Sequence, residues 1–423
     1  MLQVNIIRQN PDYVIERLKV KNFNAAALIE TILSLDEKRR ETQTRMDETL
    51  AETNRIAKSV GEMFRTGRQA EADQLKERTS ALKAEAKQMA EDLEVFVAEM
   101  NKALVQLPNL PYTAVPTGRS AEDNEVVFSH GDFPDLPSDA VPHWDLIKKY
   151  NIIDFDLGNK VTGAGFPFYR GKGAKLQRAL INFFLDSGTS AGYTEFQPPL
   201  MVNEASAYGT GQLPDKDSQM YNVPLDKFYL IPTAEVPITN IYRDVILKDS
   251  ELPVKNVAYS NCFRREAGSW GADVRGLNRL HQFDKVEIVQ ITTPEYSYRA
   301  LEEMREHVAS LLMKLELPFR IVRLCGGDMS FTSAMTYDFE VYSAAQKRWL
   351  EVSSVSNFES FQANRMKLRY KSKEGKTELA HTLNGSALAL PRVVAALLEN
   401  NQTSGGIKIP AALIPYTGFE MID

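Results

Sequence analysis

A chain of 423 residues is too long for one ordinary core; at about 150 residues per domain it should divide into two or three. Apolar residues make up 43% and charged residues 25%, a globular mixture that excludes a disordered or fibrous chain. The balance of 50 basic against 56 acidic side chains, a net charge of −6, excludes coating of nucleic acid through bulk positive charge and leaves room for a local basic patch.

No stretch approaches the roughly 18 uninterrupted apolar residues of a membrane span. Residues 1–8 lack the basic and apolar regions of a secretory signal. Cys262 and Cys325 are the only cysteines and form no C-x-x-C pair, which argues against a disulfide scaffold or a thiolate zinc cluster. A soluble protein of the reducing cytoplasm is the expectation.

Between Leu28 and Leu107 there is no proline, glycine stands only at Gly61 and Gly67, and strong helix formers dominate. Leu75, Leu82, Met89, Phe96 and Ala103 recur every seven residues. Thr79, Ala86, Leu93, Met100 and Leu107 follow four positions behind, giving an a/d seam. The first half has a patchier seam through Leu28, Ile32, Leu35, Met46, Leu50, Thr53, Ala57, Val60 and Phe64, with polar Arg39 and Thr42 in its middle. The chain can turn easily only at 61–68 (GEMFRTGR). Two antiparallel helices, each on the order of 50 Å long at 1.5 Å per residue, should form a coiled-coil hairpin. Arg55, Lys58, Arg65, Arg68, Lys76 and Arg78 make its tip mildly positive, whereas 91–99 carries acids and no base. A positive tip suits a phosphate backbone, although periodicity alone favours a dimerisation or spacer element.

Prolines at 108, 111, 116, 134, 137 and 142 mark a linker and irregular segments. Beyond Ala164, strand-like runs at 228–231, 287–291, 319–323 and 388–390 mix with helical patterns at 173–187 and 294–315. Without regular βαβ spacing, this mixture predicts an α+β domain with a largely antiparallel sheet. There is no P-loop, no Rossmann fingerprint, no H-E-x-x-H and no G-x-S-x-G, and the five histidines lack ligand spacing.

Two segments carry chemistry. Residues 262–268 (CFRREAG) lead into a polar, Gly-rich loop at 269–277 and then 279–283 (RLHQF). Arg264 and Glu266, two apart on a strand, should project from the same face; one can clamp a phosphate while the other accepts from an exocyclic amine. Phe283 and a guanidinium could sandwich a flat base. Residues 384–392 (NGSALALPR) read as a small-residue strand entering a helix with Pro391 in its first turn, placing Arg392 where the helix dipole already favours an anion. Taken singly, each segment also fits a solvated ion pair or ordinary packing.

Together they resemble a known family. FRREAG with RLHQF is similar to motif 2 of class II aminoacyl-tRNA synthetases, and NGSALALPR with the VVAALLE that follows is similar to motif 3. Residues 230–237 (LIPTAEVP) resemble the T-x-E serine-binding loop of bacterial seryl-tRNA synthetases. Residues 192–212 resemble the dimer-forming motif 1. The arm ahead of the catalytic domain is also that family's arrangement, so the resemblance covers essentially the whole chain. Two departures stand out: Pro391 where many members have glycine, and R-R-E where R-S-E is commoner.

The resemblance implies an α+β fold with a long antiparallel coiled-coil hairpin (about 28–107) inside an N-terminal tRNA-binding domain, 1–112. A class II catalytic domain, with a mostly antiparallel sheet flanked by helices, would follow at 113–423. It implies ATP-dependent activation of L-serine to seryl-adenylate and transfer to the 3′ end of serine tRNA, with selenocysteine tRNA as a second substrate in an organism that has one. By the same resemblance, Arg264 and Arg392 are catalytic, on the α- and γ-phosphates. Thr233, Ala234, Glu235, Glu287, Asn384 and Ser386 would bind serine. Arg265, Glu266, Arg279, Phe283, Glu351, Val352, Ser353 and Ser354 would join the ATP site, with Glu351 and Ser354 on Mg²⁺. The arm would contact tRNA through Arg55, Lys58, Arg65, Arg68, Lys76 and Arg78, and the protein would act as a homodimer away from membranes. Two other readings compete. A carrier-protein-charging relative would lack the arm, and a degenerate, non-enzymatic RNA-binding protein would have lost Arg264, Glu266 or Arg392.

Overall fold

The computed structural model describes residues 1–215, 217–267 and 275–423. Two compact units result: residues 1–19 with 23–108, and residues 20–22 with 109–423.

In the first unit, two short helices (Val4–Gln9 and Pro11–Lys19) precede α1 (Ala26–Arg65) and α2 (Gln69–Leu104), which pack against each other as a hairpin. The turn between them uses Gly67, at φ +75° where a side chain would be strained, while Gly61 stays inside α1. Along α2 the expected seam holds: Ala86, Met89, Met100 and Ala103 are buried, and Leu75, Thr79, Leu82, Leu93 and Phe96 are partly so. Along α1 the seam lies one residue earlier than expected at three places. Leu50, Ala57 and Phe64 are exposed, while Thr49, Ile56 and Met63 are partly covered. From Ile32 the covered positions run 35, 39, 42, 46, 49, 53, 56, 60 and 63, a strict alternation of three and four. Geometry therefore keeps polar Arg39 and Thr42 in the seam and turns the large apolar Leu50 and Phe64 out. Phe64 finds a partner in Lys76, whose Nζ lies 4.3 Å from the ring centre. Near the base of α1, buried Asp36 is held by Arg8 (2.7 Å), Arg39 (2.8 Å) and Arg40 (3.1 Å). Burial alone would raise its pKa, but the arginines outweigh that and hold it below the usual range.

The second unit is built on an eight-stranded sheet. In chain order its strands are β1 (Glu125–His130), β2 (Thr194–Phe196), β3 (Val254–Phe263), β4 (Gln282–Thr292), β5 (Phe319–Arg323), β6 (Met335–Ser343), β7 (Arg348–Glu359) and β8 (His381–Ala389). Across the sheet the order is β1-β5-β6-β7-β8-β4-β3-β2, antiparallel throughout except for the parallel pair β3–β2 at one edge. Alternation along β4 sorts its residues by face. Val286 and Ile288 enter the main core with apolar residues of three helices, α3 (Gly171–Ser190), α4 (Ser297–Lys314) and α5 (Leu390–Asn400). Lys285, Glu287 and Val289 alternate with them, and Val289 packs with Ala234, Ile238 and Ala258 on the other side.

Helices are found where the 173–187 and 294–315 patterns place them. The run 388–390 is no separate strand; it straddles the end of β8 and the first residue of α5. Among the described residues, no helix is long and apolar enough to cross a membrane.

Candidate active site

The strand ends converge on one polar floor. On β4, Phe283, Lys285 and Glu287 stand two apart on one face. Phe283 lies opposite Cys262 of β3, and Glu287 lies opposite Ala258 of β3 and Ser386 of β8. Asn384 and Ser386 share a face of β8. The loop leading into the short helix Glu235–Asn240 supplies Thr233, and the first residue of that helix is Glu235.

Glu287 is almost wholly buried (1% exposed) and is met by three donors. Thr233 Oγ1 donates to its Oε2 at 3.1 Å, Asn384 Nδ2 donates to Oε1 at 3.0 Å, and Lys285 Nζ pairs with Oε2. Thr233 Oγ1 in turn accepts from the Glu235 backbone N–H at 3.2 Å. The buried Glu235 carboxylate accepts from Gln362 Nε2 at 2.7 Å, and Gln362 Oε1 accepts from Thr382 at 2.7 Å. Burial first, and the Glu287 charge second, push the Glu235 carboxyl up to about 7. The cluster concentrates negative charge where water is excluded, an environment that suits an ammonium and a hydroxyl.

Beside it lies an arginine-rich surface. Arg264 follows directly on β3; its Nε donates to the Pro232 carbonyl at 3.4 Å, and its guanidinium sits over Phe283, 5.2 Å from the ring centre. At that distance no base fits between the two groups, so a base stacking on Phe283 would take the opposite face or displace the guanidinium. The Arg265 guanidinium covers Tyr221 at 5.6 Å. β3 ends at Phe263 and Glu266 turns to φ +49°, so Arg264 and Glu266 do not share the strand face expected of them; Glu266 pairs with Arg279 at 2.6 Å. Arg392, in the first turn of α5, donates from Nη1 to the Glu351 carbonyl at 2.7 Å and lies 3.6 Å from the Glu351 carboxylate. Ser354 donates to Glu351 at 3.4 Å. Ala234 and Val352 are core side chains, and the Ser353 hydroxyl donates to the Ser386 carbonyl at 2.6 Å. Within the Gly-rich loop expected at 269–277, residues 269–274 lie outside the described residues, as does Gly268 of FRREAG.

Two residues of this floor escape the sequence reading. Lys285 is only 5% exposed, and its ion pair with Glu287 brings a positive charge into the serine-like cluster. Asp338 of β6 lies opposite Ser354 of β7, and its Oδ1 is buried with no hydrogen-bond partner among the described residues. Burial and then the nearby Glu351 charge raise its pKa well above the usual value. An orphaned carboxylate oxygen beside Glu351 and Ser354 is a donor set for a hard divalent cation, which takes oxygen ligands and completes its shell from phosphate and water. Among the described residues, no group of three His, Cys, Asp or Glu side chains is placed to enclose a metal, so the set is open-sided.

In the arm, Lys76 pairs with Asp73 (3.2 Å), Arg78 with Glu52 across the hairpin, and Arg68 with Glu71 (3.8 Å). These pairs are exposed and each contributes little to stability.

The antiparallel sheet, with motif 2-like and motif 3-like arginines around a buried polar floor, defines the class II aminoacyl-tRNA synthetase core. The family described as tRNA synthetase class II core domain (G, H, P, S and T) matches residues 221–401, and that described as seryl-tRNA synthetase N-terminal domain matches residues 1–111. The serine–tRNA ligase of Salinibacter ruber is 51% identical over all of this chain and 99% of its own length. That of Chlorobaculum parvum is 46% identical, with both chains fully covered. Among solved structures, the seryl-tRNA synthetase of Pyrococcus horikoshii complexed with ATP aligns at TM-score 0.93 and 31% identity, covering 100% of this chain and 99% of that one. The cytoplasmic serine–tRNA ligase of Naegleria fowleri, in complex with AMP, aligns at 0.89 and 25%, with the same coverage. The chain belongs to the seryl-tRNA synthetase family.

Proposed function

We propose that the chain is an ATP-dependent serine–tRNA ligase working through seryl-adenylate, with the residues of its buried floor in the roles that follow. The observation that carries the assignment of roles is the Thr233–Glu235–Glu287–Asn384 cluster placed next to Arg264 and Phe283. Glu235 and Thr233 receive the serine ammonium, while Glu287, with Asn384 and Ser386 beside it, receives the hydroxyl. The carboxylate is thereby left facing the phosphate surface. A carboxylate oxygen attacks the α-phosphorus of ATP, and the bond to pyrophosphate breaks. Positioning and neutralisation of charge supply most of the catalysis. Arg264 takes charge developing on the α-phosphate and Arg392 that on the γ-phosphate. Glu266 reads the adenine amine, Phe283 stacks on the ring, and Arg265, Arg279 and the 351–354 strand complete the nucleotide site.

Asp338, Glu351 and Ser354 are the residues that would hold Mg²⁺, which when bound screens the phosphate charge. In the second step the terminal ribose hydroxyl of serine tRNA attacks the seryl carbonyl and AMP leaves. Selenocysteine tRNA joins as substrate where the organism makes it.

The division of labour follows the chain: 1–112 for tRNA binding and 113–423 for catalysis. Arg55, Lys58, Arg65, Arg68, Lys76 and Arg78 offer charge to the RNA backbone, whose A-form is read mainly by shape. Residues 192–212 would form the seam of a homodimer, and the protein would work in the cytoplasm. The test is ATP–pyrophosphate exchange without RNA, offered serine, threonine, alanine, glycine and proline separately. Exchange with serine alone is the expected result; exchange with another of the five, or with none, would overturn the assignment of the floor.

A further inference from the structure

Arg392 is oriented by more than its own helix. Its Nε donates to the Asn278 carbonyl at 2.9 Å, and that carbonyl belongs to the short turn Gly276–Asn278. The turn is held from behind by a buried network. The Leu277 N–H donates to Nε2 of His143 at 2.9 Å, and His143 is wholly buried. A backbone N–H can only donate, so these partners assign the ring proton to Nδ1, which donates to Glu399 Oε1 at 2.7 Å. The His143 backbone N–H and Gln346 Nε2 reach the same oxygen, each at 2.9 Å, and the Ser343 hydroxyl donates to Oε2. Burial alone would raise the Glu399 pKa; these donors outweigh it and leave it below the ordinary value. Gln346 Oε1 then accepts from Asn278 Nδ2 at 3.0 Å.

Gly276 seats the turn against the imidazole. Its φ is +64°, and a Cβ there would come within 2.3 Å of His143 Nε2. Arg392 and Glu399 stand at i and i+7 on α5, on one face of the helix. The network is therefore a closed loop, running from the helix through Glu399 to His143 and Gln346, on to the turn, and back to the helix through Arg392. With Nε and Nη1 both engaged by carbonyls, Nη2 stays uncommitted among the described contacts.

We infer that the Glu399–His143–Gln346 network is a positioning device that sets the Asn278 carbonyl so that Arg392 presents its free edge to the terminal phosphate of ATP. The inference rests on the role proposed above for Arg392. Gln346→Met in the full-length chain keeps the side-chain length, removes the hydrogen bonds to Glu399 and Asn278 together with the 3.4 Å contact of Nε2 with His143 Nδ1, and alters a half-buried residue of the hairpin between β6 and β7.

Calorimetric titration with ATP and Mg²⁺ should show the Kd for ATP rising about fivefold, the scale of one hydrogen bond's net contribution. The KM for ATP in pyrophosphate exchange should rise in parallel, with the KM for serine unchanged. A merely structural role would lower Tm and the active fraction without moving the Kd. In an Arg392→Ala background, Gln346→Met should have no further effect on ATP binding. An equal effect in both backgrounds overturns the inference. So does an unchanged Kd in Gln346→Met alongside a weakened Arg392→Ala, with the role of Arg392 intact. Unchanged ATP binding in Arg392→Ala overturns that role itself, and the inference with it.

Discussion

If Glu235 receives the serine ammonium as proposed, serine binding should release a proton, because burial holds that carboxyl at about 7 before the amino acid arrives. Burial and the neighbouring Glu287 raise Glu235 from an ordinary 4.5 to about 7. With the folded value above the unfolded one, the contribution of this group to stability is fully present below pH 4.5 and is lost as the pH climbs through 7. An ammonium reverses the preference, since only the ionised carboxylate attracts it. Apparent affinity is therefore reduced by the factor 1 + 10^(7−pH), which is about 11-fold at pH 6, about twofold at pH 7 and about 1.1-fold at pH 8. The free amino acid keeps its ammonium across this range, so the Kd for serine should fall about tenfold from pH 6 to pH 8, or about 1.4 kcal/mol. Calorimetry in two buffers of different ionisation enthalpy should report about half a proton released per serine at pH 7. Glu235→Gln should bind serine more weakly and with no pH dependence. A flat wild-type Kd between pH 6 and 8, with an enthalpy independent of buffer, would refute the reasoning.

Deleting residues 53–88 should leave serine-dependent pyrophosphate exchange within about twofold and cut aminoacylation by more than tenfold, the loss expected when several phosphate contacts go together. Parallel loss of both activities, measured on the same preparation, would sink the separation of roles. In the arm, Ile56→Asp should destabilise the hairpin by about 1–3 kcal/mol, whereas Ala57→Asp should change it by less than about 0.5 kcal/mol. Thermal melts of the two variants decide whether the seam runs where the structure puts it. Asp338→Asn should raise the Mg²⁺ concentration needed for half-maximal exchange by about tenfold or more while leaving serine binding alone. An unchanged Mg²⁺ dependence would remove Asp338 from the cation site.

What the sequence could reveal depended on whether the signal was local. The seam of α2 is legible because its apolar residues keep a heptad unaided. In α1 two rows of positions compete, Leu50, Ala57 and Phe64 against Thr49, Ile56 and Met63, and apolarity does not separate them; the spacing from Ile32 decides which positions meet α2. Arg264, Glu266, Phe283 and Arg392 sit in short motifs and can be picked out from neighbours on the chain. Lys285 reads as one more polar position on an alternating strand, and only its pairing with Glu287 marks it. Asp338 in TYDFEVY reads likewise; only its register with Ser354 across the sheet brings it to the site. His143 and Glu399 meet across 256 residues of chain, a distance no local pattern can bridge.

If Glu287 receives the serine hydroxyl as proposed, its lone pairs set the selectivity of the floor. An ionised carboxylate offers about four acceptor positions, and Glu287 spends three of them on Thr233, Asn384 and Lys285. The one that remains, on Oε1 beside Asn384, suits the hydroxyl of a bound serine. Alanine would seal that position away from both water and a donor, at a cost of about 3 kcal/mol or more for a buried charged acceptor, or roughly a hundredfold or more in kcat/KM. Threonine carries the same hydroxyl, so its exclusion must come from space for the extra methyl and not from this acceptor. Glu287→Gln separates the two effects: an amide has one oxygen and two N–H donors, and the donors face groups that already donate. Serine exchange should fall steeply in that variant, and the serine-to-alanine ratio should fall by about tenfold or more. The threonine-to-alanine ratio should fall with it. A serine-to-alanine ratio unchanged from the parent would mean that the hydroxyl is recognised elsewhere.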